Sequence, residues 1–449
     1  MSYAEQLAAF RAAYQDIETA EVYVTDLNGV ARGKLVPAAM LEKLGGGGMK
    51  MPTSTLGLDI FGADCEAAGI ALDKGDPDGS LIPVGPSLAP LAWAERPTAQ
   101  IQCMLSAPDG EGVCGYDPRG VLARVAERTA SMGFTPVMAL ELEFYLIDPE
   151  KPAPPVNPEA GGRLERAQIY DMGVMRSFEP VIAGITEAAR TLGAPAETAI
   201  CEFGAGQFEM NLTHTADPLA AADHLVALKR AIRGVARAQR MDATFMPKPY
   251  GDMSGSGMHI HLSLTDRDGR NIFDGGGTEP NDKVKAAVGG MLRAMPDCML
   301  IFAPHQNSYR RFMPGSYAPV VAAWGLDNRG TALRVPETAG KGARIEHRVA
   351  GADTNPYLLA AAVLAAALDG IERGTDPGAP VTGEASGADG AELPLSWVMA
   401  EQALSGSRFV ADWLGEEFRA VFAAVKRQER ATLMARIPDV EYDAYLRTL

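Results

Sequence analysis

The stretch Val137–Ile147, VMALELEFYLI, decides how the chain is read. Met138, Leu140, Leu142, Phe144 and Leu146 occupy every second position, and Glu141 and Glu143 fall between them. Side chains alternate across a strand, so the aliphatic set takes one face and both carboxylates point from the other. Aliphatic flanks suggest a central strand. There, two like charges roughly 5–7 Å apart repel unless a cation sits between them. The competing reading is an edge strand with its acids in water, and the neighbouring stretches decide between the two.

Three more stretches share the period of two. In Met258–Leu262, His259 and His261 share a face and the aliphatics take the other. In Arg344–Val349, Glu346 lies between Arg344 and Arg348 on one face. In Cys201–Met210, Glu202 and Glu209 flank a Gly204-Ala205-Gly206 bend that can fold both acids onto one point. Four such patterns argue against solvated faces. Carboxylates with one or two histidines suit Mg²⁺ or Mn²⁺. Nearby arginines, among them Arg310, Arg311, Arg329 and Arg334, suit a bidentate grip on phosphate. Together they fit phosphoryl transfer, where a protein mainly positions groups and stabilises charge. An ATP site here is not a P-loop, because Gly340-Lys341-Gly342 lacks the earlier glycine. A metal hydrolase is the competing class, since His259-x-His261 resembles the first-strand motif of amidohydrolase barrels. Only His214, His224, His305 and His347 remain as further ligands for it.

With 449 residues, 47% of them hydrophobic, the chain can bury a large core in two or three domains. A net charge of −16 and the absence of a Lys/Arg run exclude a general nucleic-acid binder. Cys65, Cys103, Cys114, Cys201 and Cys298 are scattered and form no C-x-x-C, which reads as reduced intracellular thiols. The charged N-terminus is not a signal peptide, and the longest apolar run, Tyr357–Leu368, is too short to span a bilayer. The expected location is cytoplasmic.

Taken in order, the pattern predicts a helix over 4–17 and a hairpin around Asn28-Gly29. It then predicts a flexible joint at Gly45–Gly48 and a strand at Ala99–Leu105. A domain boundary is placed near residue 112, giving domains 1–112 and 113–449. Asp117-Pro118 opens a helix to about Met132. Helices are further predicted over 176–192, 216–240 and 355–371, with an exposed loop over 374–394 and a helical C-terminus.

Six motifs in a fixed order, LELEFYLI, EFGAGQFE, ATFMPKP, GSGMHIHLSL, NSYRRFMPGSYAP and RIEHRVAGADTNPYL, together with DLNGVARGKLVP, resemble the glutamine synthetase family, class I. The resemblance spans about residues 20–371. It implies an α+β fold, with a small N-terminal β-grasp-like domain and a large catalytic domain built on a curved antiparallel sheet. It also implies a dodecamer of two hexameric rings with active sites between subunits. By the same resemblance Glu143, Glu202 and Glu209 hold one divalent metal, and Glu141, His259 and Glu346 hold a second. Two to three Mg²⁺ or Mn²⁺ ions per site are implied, with ATP as a substrate. Glu197, His261, Ser263, Lys341 and Arg344 match nucleotide-contacting positions. Gly255, Arg311 and Arg348 match the glutamate site, and Arg329 and Arg334 face the transferring phosphate. The implied reaction forms γ-glutamyl phosphate, which an amine then attacks. Loss of the Glu346 side chain is predicted to abolish turnover while hardly unfolding the protein.

The sequence departs from ammonia-using members at three places. Their Glu before Ala-Pro on the closing flap is Tyr317 here. Their Asp-Gly-Ser-Ser stretch is Met51-Pro-Thr-Ser-Thr55, without an acid, and their Asn before Gly255 is Ser254. Losing two acids from the acceptor pocket leaves room for a longer amine. The chain is therefore most similar to γ-glutamylpolyamine synthetases, such as γ-glutamylputrescine synthetases. The implied activity is ATP-dependent ligation of the γ-carboxylate of glutamate to an organic primary amine, a di- or polyamine, with Tyr317 in the acceptor pocket. The alternatives are a glutamine synthetase using ammonium and a non-catalytic structural or nitrogen-sensing relative.

Overall fold

The computed structural model describes residues 2–166, 169–313 and 316–449. The NSYRRFMPGSYAP motif runs through positions 314 and 315, which lie outside the described residues.

Residues 19–105 supply one sheet. Its strands are β1 (Thr19–Thr25), β2 (Ala31–Pro37), β3 (Lys50–Pro52), β4 (Asp78–Pro83), β5 (Ala89–Pro90) and β6 (Thr98–Leu105). The order is β2-β1-β6-β4-β3, with β5 on β6, and β1 runs parallel to β6. The Asn28-Gly29 hairpin forms as its sequence predicts, with Thr25 opposite Ala31 and Gly29 in the left-handed region at φ 74°. Gly45–Gly48 is not a flexible joint. A 3₁₀ turn over Ala38–Gly46 ends there, with Gly47 left-handed and Gly48 N donating to Lys43 O at 2.9 Å.

A second sheet of eight strands carries the chemistry. It contains β7 (Thr135–Ile147), β8 (Ala196–Cys201), β9 (Gln207–Leu212), β10 (Asp242–Thr244) and β11 (Met258–Thr265). A short strand β12 (Val321–Ala322) lies outside it, and β13 (Trp324–Leu326), β14 (Leu333–Glu337) and β15 (Arg344–His347) complete it. The order is β13-β14-β15-β11-β7-β9-β8, with β10 on the end of β7. All its pairs are antiparallel except β13–β14. Met138, Leu140, Leu142, Phe144 and Leu146 are fully buried, as the alternation requires.

Eleven helices are described. They are α1 (Tyr3–Ala13), α2 (Pro118–Ser131), α3 (Met172–Ser177), α4 (Glu179–Thr191), α5 (Pro218–Ala238), α6 (Asp282–Phe302), α7 (Pro356–Arg373), α8 (Trp397–Gly406), α9 (Arg408–Leu414), α10 (Glu416–Met434) and α11 (Asp439–Tyr445). The aliphatic face of the second sheet packs on α5, and α7 is buried from Pro356 to Gly370 between α6, α2 and α5. Local signals placed the caps well. The Asp117 side chain accepts from Gly120 N, and the Asn355 side chain accepts from Tyr357 N and Leu358 N. Helix α1 stops at Ala13, four residues short of the predicted end. There Tyr14 folds back on Phe10, with ring centroids 5.0 Å apart, and the chain turns into β1. The predicted helix over 176–192 is two helices, broken at the fully buried Phe178. No helix among the described residues is long and apolar enough to cross a membrane.

Candidate active site

The four period-two stretches lie on four consecutive strands, β9, β7, β11 and β15. Register then sets which side chains meet. Glu143 stands opposite Glu209, Glu141 opposite His259, and His261 opposite Glu346. The acids and histidines that alternation placed on one face of each strand thus form a row across the sheet.

Two sets of ligand atoms each lie within 4.8 Å of one another: Glu141, Glu209 and His259, and Glu141, His261 and Glu346. Glu141 is common to both. It meets His261 Nε2 at 2.8 Å and His259 Nδ1 at 3.3 Å. Arg344 Nε donates to His261 Nδ1 at 3.2 Å, so the His261 Nε2–H donates a hydrogen bond to Glu141. Glu346 accepts from Arg334 Nη1 at 2.9 Å and from Arg348, and its other neighbour is His259 Nδ1 at 3.7 Å. Glu143 accepts from Gly257 N at 2.8 Å. A Cβ added to Gly257 would lie 3.2 Å from both Arg311 Nη2 and His259 Nε2 and 3.6 Å from Glu143 Oε1, so these groups converge on one point. At Gly255 an added Cβ would meet Arg311 Cγ at 2.7 Å, so only glycine lets that arginine cross the backbone. The β8–β9 bend is as tight as its glycines suggest. A Cβ on Gly204 would fall 1.9 Å from the Tyr145 hydroxyl.

The remaining predicted positions are more dispersed. Ser263 is buried on β11, and Glu202 is half-buried just past β8. Glu197 on β8, Lys341 and Arg329 are exposed. Arg334 pairs with Asp327 at 2.6 Å as well as with Glu346. Tyr317 is 64% exposed and stacks on Phe203, with ring centroids 6.3 Å apart. Two neighbours of these positions were missed by sequence reasoning. Gln207 Nε2 donates to Gly255 O at 3.0 Å and reaches Glu143 Oε2 at 3.4 Å. Its signal was available, since Gln207 shares the strand face of Glu209. Phe203 carried no signal beyond standing next to Glu202.

Electrostatics say what the row would suit. Burial, then the charges of Glu141, Glu143 and Glu202, push the Glu209 carboxyl up to about 9. Burial, then Glu143, push Glu202 up to about 7. Glu141 goes the other way: burial opposes it, but hydrogen bonds from His259 and His261 hold it well below the usual carboxylate range. A set of oxygen and imidazole donors that crowd one another into protonation fits a hard divalent cation, which removes the repulsion. A divalent metal held by Glu209 and Glu202 would have to displace their protons. The rise in Tm on adding Mn²⁺ to EDTA-treated protein is therefore expected to grow steadily from pH 6 to pH 9. An increment that does not change with pH would separate these acids from metal binding.

A row of acids and histidines bordered by arginines, on one face of the sheet, offers the donor set of a divalent-metal site beside groups that suit phosphate. Comparison with known proteins names the family. Residues 115–445 match the glutamine synthetase catalytic domain, and the chain belongs to the glutamine synthetase family. It is 36% identical to the γ-glutamylputrescine synthetase PuuA of Escherichia coli (strain K12), over 99% of this chain and 95% of that one. It is 32% identical to a glutamine synthetase of Halobacterium salinarum, over 96% and 94%. With the γ-glutamylethanolamide synthetase GlnA4 of Streptomyces coelicolor it shares 34% over 97% and 94%. The solved structure titled GmaS/ADP complex superposes with a TM-score of 0.85 at 30% identity, over 98% of this chain and 99% of that one.

Proposed function

We propose that the chain is an ATP-dependent ligase that joins the γ-carboxylate of glutamate to an organic primary amine, a di- or polyamine. The observation that carries this reading is the gathering of Glu141, Glu209, His259, His261 and Glu346 on four adjacent strands, with Arg334 and Arg348 on the last of these acids. Relatives named for putrescine and ethanolamide products support an amine acceptor. On this reading Glu143, Glu202 and Glu209 hold one metal, and Glu141, His259 and Glu346 hold another. Bound Mg²⁺ or Mn²⁺ supplies the positive charge that lets two anions approach. Arg311, Arg348 and the Gly255 backbone hold glutamate. Glu197, His261, Ser263, Lys341 and Arg344 hold the nucleotide, and Arg329 and Arg334 face its terminal phosphate. The γ-carboxylate of glutamate attacks the γ-phosphate and ADP leaves. The amine nitrogen then attacks the acyl phosphate, phosphate leaves and the nitrogen loses a proton. The reading also takes residues 1–112 as an N-terminal domain and the active assembly as a cytoplasmic dodecamer with sites shared between subunits.

The acceptor assignment is tested by phosphate release with glutamate, ATP and a panel of putrescine, spermidine, ethanolamine, monoamines and ammonium. Diamines and polyamines are expected to exceed ammonium by at least about tenfold in kcat/KM. Ammonium turning over best would instead favour glutamine synthetase activity, the reading supported by the Halobacterium relative.

A further inference from the structure

The Asn28-Gly29 turn does more than reverse the chain. Asn28 is 7% exposed, and its side chain is plugged among Leu58, α10 and the turn at His305. Its Nδ2 donates to Glu429 Oε1 at 2.7 Å and to Leu58 O at 3.2 Å. Both partners are acceptors, which fixes the orientation of the carboxamide. Asn28 Oδ1 consequently faces Lys426 Nζ, which donates to it, and His305 Nε2 at 3.3 Å. Lys426 and Glu429, both on α10 and both fully buried, complete the anchor with a 3.0 Å ion pair. On its other side, His305 Nδ1 meets Asp353 Oδ2 at 2.7 Å, and Ser308 donates to the same oxygen at 2.6 Å.

His305 and Ser308 open the 3₁₀ turn Gln306–Arg311. Arg311, 6% exposed, ends it, with Nη1 donating to Val349 O at 3.0 Å. A Cβ on Gly351 would lie 2.4 Å from Asp353 Oδ1 and 3.3 Å from Arg311 Nη1, so the carboxylate and the guanidinium flank the same bare backbone. Asp353 Oδ1 has no hydrogen-bond partner among the described residues, and the Asp353 charge acts on that arginine. The 3₁₀ turn that delivers Arg311 is therefore held at its start by His305 and Ser308 through Asp353. Behind His305 stands a buried anchor drawn from the first hairpin and from α10.

We infer that His305 is a positioning residue for the donor substrate: through Asp353 it sets the place of Arg311, and Asn28 fixes His305 from behind. The inference rests on the proposed role of Arg311 in holding glutamate. A buried ion pair is weak ground for stability alone, and one that fixes a substrate arginine has a reason to be buried.

The test is steady-state kinetics of the full chain with each substrate varied in turn. His305→Ala is expected to raise the KM for glutamate about tenfold and to leave those for ATP and amine within about twofold. His305→Asn keeps an N–H aimed at Asp353 and is expected to recover most of the loss. Should His305→Ala fail to fold, Ser308→Ala removes the other donor to that oxygen and carries the same expectation. An unchanged glutamate KM, or a parallel rise in all three KM values, or no recovery by His305→Asn, overturns the inference. Arg311→Lys separates the two levels. If it leaves the glutamate KM unchanged, the donor-site reading itself fails. If it raises that KM while His305→Ala does not, only the role of His305 is lost.

Discussion

Glu346→Gln is expected to lower kcat by about 10³ while the protein keeps its fold. Glu346 stands on β15 opposite His261 and is 1% exposed. Burial alone would raise its carboxyl. Arg348, followed by His259 and His261, outweighs burial and holds it at about 2, so the group is ionised at neutral pH. Glutamine keeps the volume and one acceptor oxygen but drops the charge that metal and arginines require. An electrostatic contribution in a water-poor site is worth several kcal/mol, which converts to losses of this order. The choice of substitution matters. From the strand pattern alone, removing the side chain reads as a loss of charge with no loss of fold. The structure changes that expectation, because Arg334 and the buried Arg348 both close on this carboxylate. Glu346→Ala leaves Arg334 its Asp327 partner but strands Arg348, and leaving a buried charge unpaired costs about 3–5 kcal/mol. A thermal melt beside single-turnover kinetics separates the effects. A folded Glu346→Gln enzyme within about tenfold of wild-type kcat would remove Glu346 from the machinery.

What the sequence made legible follows from the range of each signal. Alternation is local, so the faces of β7, β9, β11 and β15 could be read directly, and so could the Asp117 and Asn355 caps. Register between strands is not local. Nothing near Glu141 states that His259 will stand opposite it, or that one carboxylate will serve two ligand sets. The same limit explains Glu143. Its place in the acidic row was clear, but its bond to Gly257 N depends on the neighbouring strand. Resemblance bridged part of this gap by carrying a ligand set over whole. The structure adds that Arg334 and Arg348 both donate to Glu346, which no motif conveys. The hardest feature to foresee is the anchor at Asn28. Its bond to Lys426 joins residues 398 apart in sequence, and each residue alone looks like an ordinary turn or helix position.

Tyr317→Glu is expected to move the ratio of kcat/KM for ammonium over putrescine by about 100-fold toward ammonium. On the proposed reading Tyr317 takes the place of the flap glutamate of ammonia-using members; its ring stacks at 19° on Phe203. Phe203 directly follows Glu202, so on the proposed reading the stacked pair stands at the acceptor side of the acidic row. Such a border suits an ammonium carried on methylene groups: the rings contact the alkyl chain, and their faces attract the cation. It does less for ammonium itself, a compact ion with no alkyl chain to contact the rings, which is better held by fixed carboxylates. A glutamate at 317 restores one such charge and removes the partner of Phe203. The gain for ammonium and the loss for the organic amine should therefore appear together. Tyr317→Phe provides the control, because it keeps the stack and lacks the hydroxyl. It is expected to retain the preference for amines. If Tyr317→Glu leaves the ratio unchanged, the flap aromatic plays no part in acceptor choice. If Tyr317→Phe alone shifts the ratio toward ammonium, the hydroxyl rather than the ring face selects the amine.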